Sequence, residues 1–353
     1  MKRSPQRLES SPEGVSRLTW FLRGIRRGAA YYALIVMRAA VQALPERIAH
    51  ALFRFLADLA LITVAVHRRR ALENLRIAFP GMRDSEARLI VKRMLRHLAR
   101  SAVEFIRFPL YSKQRILSMV TIEHSEIVSR LSRQGKGAIA MSAHLGNWEL
   151  VAAAVAAMGY KISVVARRIY YHKFEQLLQG TRRAAGVRVV HRDEPKEILR
   201  ALRDGHFLGI LPDMDIVKLD SVYVEFFGRL ALTPTGPVAL ALRTGVPLFP
   251  AFIVRNADGR HTVHVEEPIE LIRTGNMHKD LLLNTIRATK RIEAVIRRYP
   301  DQWMWMHRRW QHQPEWEFLR QEPSANSAPL RDVSPSLADT QSAQSRDDAR
   351  REP

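Results

Sequence analysis

The spacing of hydrophobic positions divides the chain into two stretches of different periodicity. From about residue 29 to 112, apolar residues recur at the three- and four-residue spacing of amphipathic helices. From about residue 113 to 320, short apolar runs alternate with helical stretches, which is the pattern of βαβ units. The pattern predicts an α/β fold, in which an N-terminal helical region precedes a mixed, mainly parallel sheet flanked by helices.

Individual elements can be assigned within the second stretch. The run 137–142 follows a Lys-Gly turn and is apolar almost throughout, as expected of a buried strand. The hairpin signal Asn-Ala-Asp-Gly at 256–259 predicts an antiparallel section. The predicted strands are 137–142, 160–165, 187–190, 207–211, 247–254 and 261–265, and the predicted helices are 147–158, 173–185, 196–203 and 279–298.

Two apolar runs near the N-terminus are candidates for membrane contact. The run 29–37 is too short for a span, which needs about 20 predominantly apolar residues. The run 48–66 is longer, but His50, Arg54 and Asp58 are spaced four apart and fall on one stripe of a helix. The pattern predicts a monotopic or shallowly inserted membrane-associated region with at most one marginal span.

Charge and composition narrow the class of protein. The chain has no cysteine, which excludes a disulfide scaffold, a thiolate zinc site and a cysteine nucleophile. A net charge of +21 attracts nucleic acid, anionic lipid headgroups or an acidic partner protein. A basic leader at 1–28 runs directly into the apolar sequence, which favours anionic lipid. The composition of 321–353 is polar and without aromatic residues, so a disordered tail is predicted there.

The segment His-Leu-Gly-Asn-Trp-Glu at 144–149 is the strongest candidate for chemistry. On one continuous helix, His144 and Glu149 would point about 140° apart. Because Gly146 and Asn147 interrupt the segment, we expect His144 in a strand-to-helix loop and Glu149 in the first helical turn, with Asn147 near the N-cap. A carboxylate that reaches the imidazole would make a general base. The same spacing also fits a plain helix start in which Glu149 serves capping or the helix dipole.

Two carboxylates follow the predicted strand 207–211. Asp213 and Asp215 stand where ligands bind in open α/β sheets, although Pro-Asp at a strand end is often only a turn. The segments 225–229 and 233–236 are predicted to form a second loop on the same rim.

Basic and aromatic groups near these segments have two interpretations each. Arginine suits bidentate recognition of phosphate and carboxylate, but a solvated basic face explains the same pattern; the residues are Arg167, Arg168, Arg182 and Arg183. Trp303, Trp305 and Trp310 lie beside His307 and two arginines. They form either an interfacial aromatic belt or the closing layer of the core.

Taken in order, these segments resemble the bacterial lipid A biosynthesis late acyltransferases, within the broader glycerol-phosphate acyltransferase-like fold. The resemblance covers roughly residues 30 to 315, and the order and spacing of its motifs together make it specific. The motifs are 74–80 (Asn-Leu-Arg-Ile-Ala-Phe-Pro), 144–149, Arg167, Arg182, 212–215 (Pro-Asp-Met-Asp) and 302–310 (Gln-Trp-Met-Trp-Met-His-Arg-Arg-Trp).

The resemblance implies an acyl transfer without an acyl-enzyme. His144 would deprotonate a hydroxyl on a 3-hydroxyacyl chain of a lipid A precursor, with Glu149 orienting the imidazole. The hydroxyl would attack the thioester of an acyl carrier protein or coenzyme A. Arg182 would hold substrate or the thioester oxyanion, and substrate-binding roles are implied for Asn147, Arg167, Asp213 and Asp215.

The resemblance also implies partners and a place of action. No metal or organic cofactor is required. The basic surface would serve anionic membrane lipids and the acidic carrier protein at the cytoplasmic face of the inner membrane. A catalytically silent membrane scaffold of the same fold is a further alternative, which the intact pair His144 and Glu149 argues against. A nucleic-acid partner is not expected, since the sequence has no zinc-finger spacing, RNA-recognition aromatic motif or basic zipper.

The acceptor has alternatives within the same chemistry. The sequence Pro-Asp-Met-Asp stands where the glycerol-phosphate branch usually has Pro-Glu-Gly-Thr, which favours the lipid A branch. Acyltransferases of phosphatidylinositol mannosides and ornithine lipids share the histidine–acid motif, and lysophospholipids are a further possible acceptor class. At 169–172 the chain reads Ile-Tyr-Tyr-His and lacks the Asn-Pro pair of some lipid A enzymes.

Overall fold

The N-terminal part of the described chain is helical. The computed structural model describes residues 17–314, and for 17–27 only the backbone. The leader up to residue 16 and the predicted tail 321–353 lie outside the described residues, while the last part of the predicted leader is already helical backbone. The helices are α1 (Arg17–Ala43), α2 (Glu46–Thr63), α3 (Ala65–Ala78), α4 (Asp84–Arg107) and α5 (Lys113–Met119).

Local sequence signals set the limits of these helices. Pro45 stands between α1 and α2, with its φ of −52° and no amide hydrogen to continue the first helix. Asp84 and Glu86 occupy the first turn of α4, where carboxylates complement the helix dipole. α2 packs on α4, and Arg96 donates to both carboxylate oxygens of Asp58 at 2.8 and 2.7 Å.

Helix α2 continues into α3 only after a sharp change of direction. Across residues 17–314, no individual helix has both the length and the apolar composition that crossing a bilayer requires. α2 and α3 meet these requirements together, but they are bent by 84° relative to each other.

The remainder of the described chain alternates strands with helices. The further helices are α6 (Ser125–Arg133), α7 (Trp148–Ala157), α8 (His172–Ala184), α9 (Pro195–Arg203), α10 (Gly236–Thr244) and α11 (Met277–Arg298). The strands are β1 (Val120–Glu123), β2 (Ala138–Met141), β3 (Ile162–Ala166), β4 (Arg188–His191), β5 (Phe207–Ile210), β6 (Ser221–Phe226), β7 (Arg229–Pro234), β8 (Leu248–Arg255) and β9 (His261–Val265).

Seven of the strands form one mixed sheet in the order β1-β9-β8-β2-β5-β3-β4. The five strands from β8 to β4 are mutually parallel, and β9 pairs antiparallel with β8. The predicted mainly parallel sheet and its antiparallel section are confirmed. β1, which pairs with β9, was not predicted from the sequence. The carboxyl ends of β2, β5 and β3 lie side by side, so their following loops meet at one edge.

The predicted second loop at 225–229 and 233–236 is wrong. This stretch forms β6 and β7, a separate antiparallel hairpin. Its two turn residues, Phe227 and Gly228, have φ of 55° and 76°. Positive φ at both positions gives a turn whose twist matches that of the paired strands.

The sheet is buried on both faces, because alternate residues of each strand point to opposite sides. Ile139 and Met141 of β2 join one core cluster, while Ala138 joins the other beneath α7. Trp303 and Trp305 belong to the first cluster and are fully buried. The tryptophans therefore close the core, and the interfacial-belt interpretation is excluded for them.

Candidate active site

The loop after β2 is held in place by a segment from far along the chain. Leu145 forms an isolated antiparallel bridge with Trp303. The amide of Gly146 donates to the carbonyl of Gln302 at 3.0 Å, and the amide of Met304 donates to the carbonyl of His144 at 3.1 Å. The main chain of His144 is thus held in place independently of the contacts that its side chain makes.

Gly146 and Asn147 convert this loop into the start of α7. Gly146 has a φ of +58°, and a Cβ added there would lie 2.3 Å from the carbonyl oxygen of Ile253. Only glycine fits this close approach of two backbones. The Asn147 side chain accepts from the amide of Leu150 at 3.3 Å as the N-cap. The predicted positions of the loop, the cap and the first turn are confirmed.

Gly146→Ala should lower the free energy of unfolding by more than about 2 kcal/mol, because the new Cβ meets a backbone oxygen at positive φ. Chemical denaturation of the variant and the wild type measures the difference. Gly180→Ala is the matched control: Gly180 lies inside α8 with no atom within 4 Å of the added Cβ. That substitution should raise stability by up to about 1 kcal/mol. Equal effects of the two variants would contradict the assigned role of Gly146.

Asp213 is the carboxylate that contacts the His144 imidazole. Its Oδ1 lies 2.8 Å from His144 Nδ1, and its Oδ2 accepts from the His144 amide and from Trp303 Nε1, both at 2.8 Å. The Asp213 side chain is 0 % exposed. Because all partners of this carboxylate donate, Nδ1 carries the hydrogen and Nε2 is left as the basic nitrogen. The imidazole itself is 19 % exposed.

The two groups stabilise each other's charged forms. Burial lowers the pKa of His144, but the charge of Asp213 and its hydrogen bond outweigh burial, so that the pKa lies above its ordinary value of 6.5. Burial raises the pKa of Asp213, yet the charge and hydrogen bonds of His144 and the hydrogen bond from Trp303 hold it well below its usual range. Asp213 is therefore an anion throughout the physiological pH range.

Glu149, predicted to orient His144, does not contact the imidazole. Arg182 donates to both of its oxygens, from Nε at 2.9 Å and from Nη2 at 2.7 Å. In the first turn of α7 the glutamate meets α8, where the planar guanidinium matches a carboxylate. Asp213 reaches the imidazole instead, because β5 is the neighbour of β2 and the loops after parallel strands meet. Glu149 acts on His144 only through space, as a smaller contribution that raises its pKa.

Asn147, predicted to bind substrate, is engaged inside the protein. It is buried, and its Nδ2 donates to Glu104 Oε2 at 2.7 Å. Glu104 in turn accepts from Arg255 Nη2 at 2.8 Å, which ties α4 to β8 behind the loop. The side-chain oxygen of Asn147 also caps α7. The predicted substrate-binding role is therefore corrected: the side chain supports the loop.

The prediction that Asp213 and Asp215 bind substrate is also corrected. Asp215 repeats the arrangement of its neighbour: its oxygens accept from the His312 amide at 3.0 Å and meet His312 Nδ1 at 2.8 Å. Its side chain is 1 % exposed. Both carboxylates after β5 therefore bind histidines: Asp213 binds His144 of the loop after β2, and Asp215 binds His312. Arg167 is exposed after β3 at the same edge of the sheet, and its substrate-binding role stays a prediction.

His307 and Trp148 complete the surroundings of His144. Their rings lie 5.2 and 5.1 Å from the imidazole, both edge to face. Burial, together with the nearby His144, lowers the pKa of His307 to about 4, so it is neutral near pH 7. Its Nε2 is buried without a hydrogen-bond partner among the described residues. The sequence brought His307 to notice only within the aromatic block, because nothing in its local spacing points to His144.

An apolar cavity opens beside this cluster. It is narrow and lies between α7 and the face of the sheet. Ser142 and Trp148 line it on either side of the loop that carries His144, and Phe207 and Phe249 are among its walls. The lining is almost wholly apolar, as a hydrocarbon chain requires. The cavity could not be predicted from the sequence, because the strand residues that line it have the same apolar pattern as ordinary core residues.

Comparisons with known proteins assign the family. The model of the bacterial lipid A biosynthesis acyltransferases matches residues 19–312. The chain belongs to the bacterial lipid A biosynthesis acyltransferase family. The resemblance inferred from its motifs is thereby confirmed, and the protein is an acyltransferase.

Individual relatives of this acyltransferase are distant. The lipid A biosynthesis lauroyltransferase of Escherichia coli K12 is 25 % identical over 268 residues, which cover 75 % of this chain and 86 % of the relative. The lipid A biosynthesis myristoyltransferase of the same organism is 25 % identical over 248 residues, 68 % and 73 % of the two chains. A phosphatidylinositol mannoside acyltransferase of Mycolicibacterium smegmatis is 26 % identical over 229 residues, 63 % and 72 %.

Proposed function

We propose that this acyltransferase moves a fatty acyl chain from a thioester, carried by acyl carrier protein, to a hydroxyl of a lipid A precursor, with His144 as general base. The observation that carries the proposal is the His144–Asp213 pair at an apolar cavity. The pair supplies a base with one open nitrogen, and the cavity supplies an apolar lining for a hydrocarbon chain. Each methylene buried there would contribute about 0.8 kcal/mol to binding.

The first step forms the new ester bond. His144 Nε2 takes the proton of the acceptor hydroxyl as its oxygen attacks the carbonyl carbon of the thioester. The imidazole becomes a cation, and Asp213 stabilises that cation through the bond to Nδ1. The carbonyl oxygen meanwhile gains negative charge. Arg182 uses Nε and Nη2 on Glu149, which leaves Nη1 for substrate or for this oxyanion.

The second step releases the carrier. The tetrahedral intermediate collapses, the carbon–sulfur bond breaks, and the departing thiolate takes the proton from His144 Nε2. The imidazole returns to its neutral form with the hydrogen on Nδ1 unchanged. His307 beside it stays neutral throughout, because a second cation at 5.2 Å from the first would oppose the transient charge on His144.

This mechanism predicts the direction of the pH dependence. The neutral form of His144 is the active one, and its pKa lies above 6.5. The value of kcat/KM should therefore rise with pH through an apparent pKa above 6.5 and level off at higher pH. Initial rates with an acyl thioester, corrected for uncatalysed hydrolysis at each pH, measure the profile. A limb centred below 6.5 would contradict the net effect assigned to Asp213.

The proposal includes action at the cytoplasmic face of the inner membrane, by a peripheral or monotopic protein or one with a single N-terminal anchor. Support comes from α2, which leaves large apolar side chains exposed, Leu52 and Phe55 among them. A net charge of +21 favours both anionic lipid and an acidic carrier protein.

A second acceptor class is supported by one relative and one local departure. The matched Mycolicibacterium smegmatis protein is named for phosphatidylinositol mannoside, and the chain lacks an Asn-Pro pair at 169–172. The second candidate function is therefore acyl transfer to another membrane lipid: a phosphatidylinositol mannoside, an ornithine lipid or a lysophospholipid. The base, the cavity and the chemistry would be the same.

Lipid mass spectrometry on a strain lacking the gene separates the two. The first candidate requires that lipid A lose one secondary acyl chain and that the intact gene restore it. The mass difference would also give the chain length. Unchanged lipid A, together with loss of an acyl chain from another membrane lipid, would reject the first candidate in favour of the second.

A further inference from the structure

Helix α2 has three faces of different character. Ala49 and Ala57 are buried against the protein. Arg47, His50 and Arg54 follow at three- and four-residue steps and form a second, basic stripe. The third face is apolar and exposed, and its residues are Ile48, Leu52, Phe55, Leu59 and Ile62.

The basic stripe forms one wall of a cleft. The cleft holds about 1250 Å³, including its open mouth, and it is closed by Arg100 of α4 and by the turn between β8 and β9, which carries Arg260. A smaller cleft adjoins it, shares Arg47, His50 and Arg100, and adds Arg54. Neither cleft includes a residue that lines the apolar cavity beside His144.

Positive charge in this cleft is not compensated by carboxylates of residues 28–314. Glu46 is taken by Arg115, and Glu104 by Arg255. Asp258 remains as a carboxylate of the rim, where it accepts from a backbone amide. Four cations of the two clefts have no ion pair with a carboxylate within residues 28–314: Arg47, Arg54, Arg100 and Arg260.

Arg100 is the most telling of the four. It is half-buried, and its Nη2 lies 3.0 Å from where a Cβ of Gly259 would stand, so it is set against the turn. Burial and the nearby Arg255 lower its pKa. His50 Nδ1 is buried in the same region without a partner among the described residues. A guanidinium withdrawn from water without a counter-ion gains most from an anion placed beside it.

We propose that this cleft is a second binding site, which holds the phosphate of an anionic phospholipid headgroup. Phosphate matches several converging guanidinium groups by charge and geometry. A lipid source is favoured over a free phosphate because the exposed apolar face of α2 borders the basic stripe. With its phosphate in the cleft, a lipid can lay its acyl chains along that face. The site would fix the depth and orientation of the protein at the bilayer, separately from its catalytic residues.

Flotation of the full chain with vesicles tests the proposal without any acyl transfer, so its outcome is independent of the proposed function. The vesicles contain phosphatidylcholine alone or a mixture with phosphatidylglycerol. The double variant Arg47→Gln/Arg100→Gln should bind the mixed vesicles about 25-fold more weakly than wild type, at about fivefold for each arginine. Arg203→Gln/Arg243→Gln removes the same charge from α9 and α10 and should change binding by less than about twofold.

Further measurements keep the proposal open to refutation. Arg100→Lys retains the charge and should bind within about threefold of wild type, and thermal unfolding verifies that every variant is folded. Equal losses in the two double variants would overturn the proposal, since general charge would then explain binding. Inorganic phosphate tests the source. Suppose that inorganic phosphate raises the unfolding temperature of the wild type but not of Arg47→Gln/Arg100→Gln, and that the two proteins bind the mixed vesicles equally well. The lipid assignment would then be overturned.

Discussion

His144→Ala should reduce the rate of acyl transfer by about 10²- to 10⁴-fold, the usual contribution of a positioned general base. The imidazole provides an open basic nitrogen beside the apolar cavity, and alanine removes this positioned acceptor for the proton of the substrate hydroxyl. Because the loop is also fixed by main-chain bonds to residues 302–304, the variant should fold and retain the cavity. Its KM for the acyl thioester should therefore change much less than kcat.

The control for this variant is His67→Ala. His67 is exposed on α3, so the substitution removes an imidazole that lies outside the site. Activity should stay within about twofold of wild type. Assays use purified full-length protein with an acyl thioester and a lipid acceptor. Wild-type kcat in His144→Ala would reject the mechanism.

Asp213→Asn should reduce kcat by a similar factor, about 10²- to 10⁴-fold, through the tautomer of His144. The Oδ2 position accepts from two donors, the His144 amide and Trp303 Nε1. The amide oxygen of asparagine would take that position, which turns its NH₂ group towards Nδ1. Nδ1 must then accept, and the ring hydrogen moves to Nε2. The open nitrogen would become a donor and could no longer act as the base.

Glu149→Gln is the informative comparison, because the sequence alone assigns the orienting role to Glu149. Asp213→Asn removes the largest influence that raises the pKa of His144, so the acid limb of the remaining activity should move to lower pH. Glu149→Gln removes a smaller influence and frees Arg182, so it should lower activity with a smaller shift of that limb. A larger shift in Glu149→Gln would return the orienting role to the glutamate.

Sequence periodicity was sufficient for six of the seven strands of the sheet, because each of those six carries its own signal. The apolar run of β2 and the Asn-Ala-Asp-Gly turn before β9 are local features, and both elements were predicted. The hairpin of β6 and β7 was missed, because its turn depends on a phenylalanine at positive φ, a residue type that rarely occupies such a turn. β1 is four residues long and pairs only with β9, so it has little local pattern of its own.

Within the site, the residues were found but their pairing was not. His144, Glu149, Arg182 and Asp213 could all be selected by residue type and by position at strand ends. Which carboxylate meets the imidazole depends on strand order. β5 lies beside β2, so Asp213 reaches His144 although the two residues are 69 positions apart in the sequence. Nearness along the sequence favoured Glu149, and nearness across the sheet favours Asp213.

The bridge between Leu145 and Trp303 has a consequence for how the enzyme comes into being. During translation His144 is added first, Asp213 later and Trp303 last. Trp303 donates to Asp213 and pairs with Leu145, in the loop that carries His144. A nascent chain on the ribosome therefore contains His144 long before Asp213 and Trp303 are available to orient its imidazole. Chemistry would begin only when the residues around Trp303 have docked, so catalytic activity reports on completed folding.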